Sequence, residues 1–66
     1  MRATINGRMR DLPDSLTVGS LLELLGSRRS GVAVAHNDRV VRRGEYDTQA
    51  VCEGDRLEII EAAAGG

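Results

Sequence analysis

A single amphipathic helix pattern, with strand-like segments on both sides, most constrains what this chain can fold into. Its apolar residues recur at i, i+3, i+4 and i+7, the spacing of one helical face: Val18, Leu21, Leu22 and Leu25. Thr17 is placed to cap the N-terminus of this helix, and Gly26 is placed to end it. One short helix cannot enclose its own apolar face, so these side chains must be buried against a sheet.

Before the helix, the sequence predicts a β-hairpin. The dipeptide Asn6-Gly7 separates two short strand-like segments, residues 3–5 and 8–10. Both residues of the dipeptide tolerate the positive φ that a two-residue type I′ turn requires. We therefore expect the chain to open with two antiparallel strands.

After the helix, strand-like alternation returns in the sequence VAVAH, residues 32–36. Its larger side chains share one face of the predicted strand: Val32, Val34 and His36. Asn37 and Asp38 are suited to a turn that leads into a short strand at residues 39–41. This segment therefore predicts a strand with one well-filled face.

The last strand is predicted in the sequence RLEII, residues 56–60, after a turn at Gly54 and Asp55. Leu57 and Ile59 would point inward, and the outward side chains would be Arg56, Glu58 and Ile60. Residues 42–51 are too polar and too weakly periodic to predict more than a loop with one helical turn.

In order, these elements are strand, strand, helix, strand, short strand and strand. Such an order places the chain in the α+β class and predicts a β-grasp, with a mixed four- to five-stranded sheet and one main helix on one face. At 66 residues the chain is one domain. We assign residues 1–61 to the β-grasp domain and residues 62–66 to a flexible C-terminal tail.

The composition excludes several classes of function. One cysteine, Cys52, and one histidine, His36, cannot form a disulfide framework or a zinc site by themselves. We expect Cys52 to be a surface thiol and His36 to be a partly buried structural residue. A net charge of -1 and a single aromatic residue argue against nucleic-acid binding. No apolar run is long enough to cross a membrane, so the cytosol is the expected compartment.

Four motifs in order and a final pair of glycines carry a family resemblance. They are the NG hairpin, TVGSLLELL, VAVAHN, GDRLEII and the final GG. This set resembles the ubiquitin-like sulfur carriers, most closely those of thiamine biosynthesis, over the whole chain. Three positions depart from the family pattern: His36 replaces an aliphatic residue, Arg42 a proline and Tyr46 a tryptophan.

The resemblance implies a protein substrate rather than an enzyme. A ThiF-like adenylating enzyme would use ATP to join AMP to the C-terminal carboxylate of Gly66. A persulfide donor, such as a cysteine desulfurase, would then convert that group to a thiocarboxylate, which donates sulfur to a ThiG-like thiazole synthase. Gly65 and Ala64 would keep the tail thin enough to enter an active site. The chain itself would bind no cofactor.

Other readings remain open at this stage. The same chemistry would suit a molybdopterin-synthase small subunit or a tRNA-thiolation carrier. A β-grasp interaction module and a protein-conjugating modifier are further alternatives. Outward Ile60, with Glu58 and Glu61, is a candidate docking spot for a partner. Arg39, Arg42 and Arg43 form a basic cluster. This cluster is either a group of solvated surface charges or a second surface for recognition of a partner.

Overall fold

The computed structural model describes residues 1–61, so the predicted tail, residues 62–66, lies outside the described residues. Within residues 1–61, seven strands and one α-helix follow one another. Their bounds are β1 Arg2–Ile5, β2 Arg8–Asp11, β3 Leu16–Thr17, α1 Val18–Leu24, β4 Val32–His36, β5 Arg39–Val41, β6 Ala50–Val51 and β7 Arg56–Glu61. A short 3₁₀ turn, Arg43–Glu45, precedes β6.

Five of the strands form one mixed sheet in the order β2-β1-β7-β4-β5. The only parallel pair in this sheet, within the described residues, is β1 with β7, and the other neighbours are antiparallel. The last strand therefore lies at the centre of the sheet, between the first strand and β4. This arrangement confirms the predicted β-grasp with a five-stranded sheet.

Both predicted hairpin turns adopt the backbone conformation that their residues favour. Asn6 and Gly7 have φ values of 51° and 82°, and Asn37 and Asp38 have values of 50° and 70°. Positive φ at both central residues is the requirement of a type I′ turn, whose twist matches that of the flanking strands. These four residues therefore set the register of β1 with β2 and of β4 with β5.

The helix begins and ends where the sequence predicts. Thr17 caps it, and its Oγ1 accepts a hydrogen bond from the Ser20 N–H at 3.1 Å. At the other end, Gly26 has a φ of 74°, and its N–H donates to the Glu23 carbonyl at 3.0 Å. The Ser27 N–H donates to the Leu22 carbonyl at 2.9 Å, which completes a Schellman motif.

The core lies between the helix and one face of the sheet. Its largest fully buried side chains come from the helix and the central strands: Val18, Leu21, Leu22, Val34 and Leu57. Burying each such aliphatic side chain stabilises the fold by about 1.5 to 3 kcal/mol, before conformational entropy is counted. Leu57 and Ile59 point into this core as predicted, and Ile60 points out.

Residues 42–51 contain more structure than the sequence predicted. The 3₁₀ turn confirms the single helical turn, but β6 then pairs antiparallel with β3 in a second, two-stranded sheet. Tyr46 is only 3% exposed, and its hydroxyl donates to the Val32 carbonyl at 3.4 Å. This segment therefore closes one side of the core.

Candidate functional site

The last described residue, Glu61, ends β7, so the described part of the chain ends on the central strand of the sheet. On one side, β7 pairs with β4 up to its last residue: the paired residues run from Leu57 with His36 to Glu61 with Val32. On the other side, pairing with β1 stops at Ile5 with Leu57. The strand that leads to the glycines is therefore held along one edge and passes the end of the hairpin on the other.

The predicted docking residues lie on two different faces of the sheet. Ile60 is 67% exposed and shares the open face, away from the helix, with exposed Glu58. Glu61 is also exposed but, by strand alternation, lies on the helix side. The structure therefore brings Ile60 and Glu58 together and separates them from Glu61.

Ile60 belongs to an apolar area on the open face, and the sequence alone did not predict which other residues form it. Ala33 pairs with Ile60, and Ala35 pairs with both Glu58 and Val40. Side chains directly opposite one another on paired strands share a face and lie in contact range. We call these four residues the open-face patch: Ala33, Ala35, Val40 and Ile60. Met9 lies on the same face but on β2, opposite Thr4.

Glu61 lines a groove of about 690 Å³ on the helix side of the strand exit. Asn6 and Ile59 form its floor near the hairpin turn, and Arg8 and Arg10 come from β2. The groove is open to solvent, so a partner can approach the point where the chain leaves the sheet. Its arginines give that approach a positive charge.

The basic cluster lies at the β5 edge of the sheet, opposite the β2 edge that borders the groove. Arg39 is in β5, which is an edge strand, and Arg42 and Arg43 follow directly after it. All three side chains are exposed, and none takes part in an ion pair among residues 1–61. The structure therefore places the cluster away from the end of β7.

His36 and Asp55 form a partly buried hydrogen-bonded pair near the start of β7. Their Nε2 and Oδ2 atoms are 2.6 Å apart, and the two side chains are 16% and 13% exposed. This confirms the expectation that His36 is partly buried. The pair lies beside Leu57, at the other end of β7 from Glu61.

Asp55 organises the turn before β7 and was not predicted as anything but a turn residue. Burial acts to raise its pKa, but hydrogen bonds from His36, the Cys52 N–H and Asn37 outweigh burial and lower the pKa. The Cys52 N–H donates to Oδ2 at 2.8 Å, and Asn37 Nδ2 donates to Oδ1 at 3.2 Å. A carboxylate that accepts this many hydrogen bonds serves the structure of the turn.

Cys52 is exposed, as predicted. In the described part of the chain, no group of three or more His, Cys, Asp or Glu side chains is arranged to hold a metal ion. No helix among residues 1–61 is long and apolar enough to span a membrane. The remaining candidate for a functional site is the C-terminal end of β7 with the surfaces around it.

The fold and this strand exit define a class: ubiquitin-like β-grasp proteins in which the central last strand leads to a Gly-Gly sequence. Comparison with known proteins narrows it. The model of the ThiS family matches residues 3–66, and the chain belongs to that family.

Individual relatives agree with this assignment. The sulfur carrier protein ThiS of Escherichia coli is 32% identical over 66 residues, which cover all of both chains. Thiazole synthases of Paramagnetospirillum magneticum and Magnetococcus marinus are 41% and 33% identical over the same length. The chain spans 20% of the length of each of these two thiazole synthases.

Solved structures give the same picture. The crystal structure of a thiamine biosynthesis protein (ThiS) from Geobacter metallireducens has a TM-score of 0.85 at 32% identity, with both chains fully covered. SAMP1 from Haloferax volcanii has a TM-score of 0.56 at 20% identity, with 98% of this chain and 97% of that one covered. At that identity the second likeness shows the β-grasp fold alone.

Proposed function

We propose that this chain is a sulfur carrier for thiazole formation in thiamine biosynthesis. The observation that carries the proposal is the end-to-end match to the sulfur carrier protein ThiS of E. coli. The similarity to a segment of two thiazole synthases supports thiazole synthase as the acceptor of the sulfur. The chain would act as a protein substrate on which other enzymes work.

The proposed reactive group is the C-terminal carboxylate of Gly66. A carboxylate is a poor electrophile, so a ThiF-like enzyme would first join it to AMP from ATP, with release of pyrophosphate. The terminal sulfur of a donor persulfide would attack the activated carbonyl, and AMP would leave. A second thiol would then cleave the S–S bond of this acyl disulfide, which leaves the thiocarboxylate on Gly66.

The residues before Gly66 fit this chemistry. Gly65 and Gly66 have no Cβ, so nothing crowds the approach to the carbonyl, and Ala64 adds only a methyl group. Fully extended, residues 62–66 could reach about 17 Å from the sheet, at roughly 3.3 to 3.6 Å per residue. That reach would let the carboxylate enter a buried active site while the folded domain stays outside. We propose residues 62–66 as this tether.

The folded domain would dock through the surface around the strand exit. The open-face patch offers aliphatic side chains with Glu58 at its border, and Ile60 is its residue closest to the tail in sequence. Glu61 and the groove beside it form the other wall of the exit. A partner enzyme that contacts both faces of β7 would hold the start of the tail at a fixed position relative to its active site.

Intact mass spectrometry tests this function. The chain is incubated with ATP, a ThiF-like enzyme, a cysteine desulfurase and cysteine, and a variant that lacks Gly66 serves as the control. We expect one terminal oxygen to be exchanged for sulfur in the full chain and no exchange in the control. An unchanged mass in the full chain would contradict the proposal.

Copurification separates this function from related ones. A thiazole synthase bound to the carrier is the expected result. Recovery of a molybdopterin synthase large subunit or a tRNA-modifying enzyme instead would assign the carrier to a different pathway. Attachment to lysines of many cellular proteins would identify a protein-conjugating modifier.

A further inference from the structure

Two asparagines, each the first residue of a hairpin turn, hydrogen-bond to the backbone of β7. Asn37, the first residue of the second hairpin turn, donates its N–H to the Arg56 carbonyl and accepts the Arg56 N–H at Oδ1, both at 2.8 Å. Asn6, the first residue of the first hairpin turn, donates its N–H to the Leu57 carbonyl at 2.9 Å. Each turn therefore contacts the central strand as well as joining its own two strands.

The side chain of Asn6 extends the β1–β7 ladder beyond the end of β1. Its Oδ1 accepts the Ile59 N–H at 2.8 Å, and its Nδ2 donates to the Ile59 carbonyl at 3.1 Å. These two bonds occupy both backbone groups of Ile59 on this side, which in a parallel ladder would take two different residues of the partner strand. Asn6 is thus the last support of β7 on the hairpin side before Glu61.

The turn itself does not require an asparagine at this position. A type I′ turn needs positive φ at its first central residue, which glycine and aspartate also provide. Neither of them can supply both a donor and an acceptor to Ile59. The amide of Asn6 therefore serves β7 in addition to the hairpin.

We propose that Asn6 is a positioning residue that fixes the direction in which the chain leaves the sheet toward Gly66, and so sets the rate at which the Gly66 carboxylate is adenylated. This inference rests on the proposed carrier function. A fixed strand exit reduces the number of orientations that the following residues can take when the tail enters an active site. Because both polar atoms of the Asn6 side chain are bonded to Ile59, we expect the enzyme's contacts with the folded surface to be largely kept when this side chain is removed.

The test compares Asn6→Gly with Asn37→Gly. Both variants keep a residue that tolerates positive φ, and both remove a side-chain amide that binds β7, at Ile59 for Asn6 and at Arg56 for Asn37. Backbone amide exchange followed by NMR reports the local effect. We expect Asn6→Gly to speed exchange at Ile59 about tenfold relative to Arg56, and Asn37→Gly to do the reverse.

Steady-state adenylation by a ThiF-like enzyme reports the functional effect. We expect Asn6→Gly to lower kcat about tenfold, with the KM for the carrier within about twofold, and Asn37→Gly to leave kcat unchanged. Because the carrier is the substrate, partial unfolding would reduce its effective concentration and raise KM without lowering kcat. A lowered kcat therefore separates positioning from loss of stability.

Three results would overturn the inference: equal kcat values for the two variants, a rise in KM alone for Asn6→Gly, or unchanged exchange at Ile59 in Asn6→Gly. Failure of the unmodified chain to be adenylated would instead reject the proposed carrier function. In that event, unchanged exchange at Ile59 in Asn6→Gly would also reject the role of Asn6 in holding β7.

Discussion

At the scale of single residues, Gly19 shows how one side chain's absence shapes the fold. It is buried in the first turn of α1, although glycine is a weak helix former. A Cβ added there would lie 2.5 Å from Arg29 Nη2 and 2.7 Å from Asp47 Oδ1. Those two atoms form a 2.6 Å ion pair that passes directly over the helix. A glycine at position 19 is therefore explained by the close approach of Arg29 and Asp47, which are distant from it in sequence.

The first prediction concerns Gly19→Ala. In a helix this change alone stabilises a protein by about 0.5 to 1 kcal/mol. Here we expect no stabilisation, because the new methyl group displaces the Arg29–Asp47 pair. In an Arg29→Ala background the same change should recover the usual gain. Urea denaturation of the four proteins in this cycle measures the effect, and an equal gain in both backgrounds would contradict it.

The second prediction concerns Asp55→Asn. The pKa of Asp55 is lowered in the folded protein, so its contribution to stability is present above its unfolded pKa and is lost as pH falls through its folded pKa. We expect the variant to lose about 1 to 3 kcal/mol of unfolding free energy at neutral pH. The difference from the unmodified chain should shrink below about pH 4.

Asp47→Asn is the matched control for this prediction. The pKa of Asp47 is also lowered, by its hydrogen bond to Arg29, but its side chain is largely exposed. Solvent screening weakens such a pair, so we expect a much smaller loss than for Asp55→Asn. Denaturation curves between about pH 2 and pH 7 compare the two variants. Equal losses would show that the buried turn around Asp55 has no special role.

At the scale of elements, local patterns predicted most of the fold. The two turns followed from residues that tolerate positive φ, and α1 followed from its apolar spacing and its caps. The inward Leu57 and Ile59 and the outward Ile60 followed from alternation along β7. Each of these features is decided by residues within a few positions of one another.

Other features depend on contacts between distant residues, and the sequence did not predict them. The β3–β6 sheet has only two residues per strand, too few to show alternation. The buried Tyr46 donates its hydroxyl to the carbonyl of Val32, 14 residues away, and the amide of Asn6 bonds to Ile59, 53 residues away. At the candidate site, alternation along β7 correctly predicted that Ile60 and Glu58 share one face. The other residues of the open-face patch, Ala33, Ala35 and Val40, could not be predicted because they reach this face through the pairing of β4 with β7 and β5.

The third prediction belongs to the outer face of β7. We expect Ile60→Glu to raise the KM for the carrier in adenylation about tenfold or more, because a charge would interrupt the open-face patch. Met9→Glu is the control, since Met9 is 63% exposed on the same face but lies on β2. Both changes are at exposed positions, so each should alter unfolding free energy by no more than about 0.5 kcal/mol.

Steady-state adenylation kinetics measure this third effect. A KM that rises equally for Ile60→Glu and Met9→Glu would indicate a general charge effect. An unchanged KM for Ile60→Glu would show that the open-face patch does not contact the adenylating enzyme. Either result would remove the patch from the proposed docking surface.

At the scale of the whole molecule, the domain presents one end of its central strand. The helix and five-stranded sheet bury the core on one face, β4 holds β7 along one edge, and Asn6 supports the other. The proposed chemistry would take place at Gly66, outside the described residues. Under the proposed function, such a domain needs no catalytic group of its own, because its role would be to bring one carboxylate to successive enzymes in a defined orientation.

The most direct test of the account is the intact mass of the protein isolated from cells grown without thiamine. The account predicts that part of the protein carries sulfur in place of one oxygen of the Gly66 carboxylate. It also predicts that the sulfur-containing form accumulates when thiazole synthase is removed. A protein that never carries sulfur on Gly66 under these conditions would contradict the central claim.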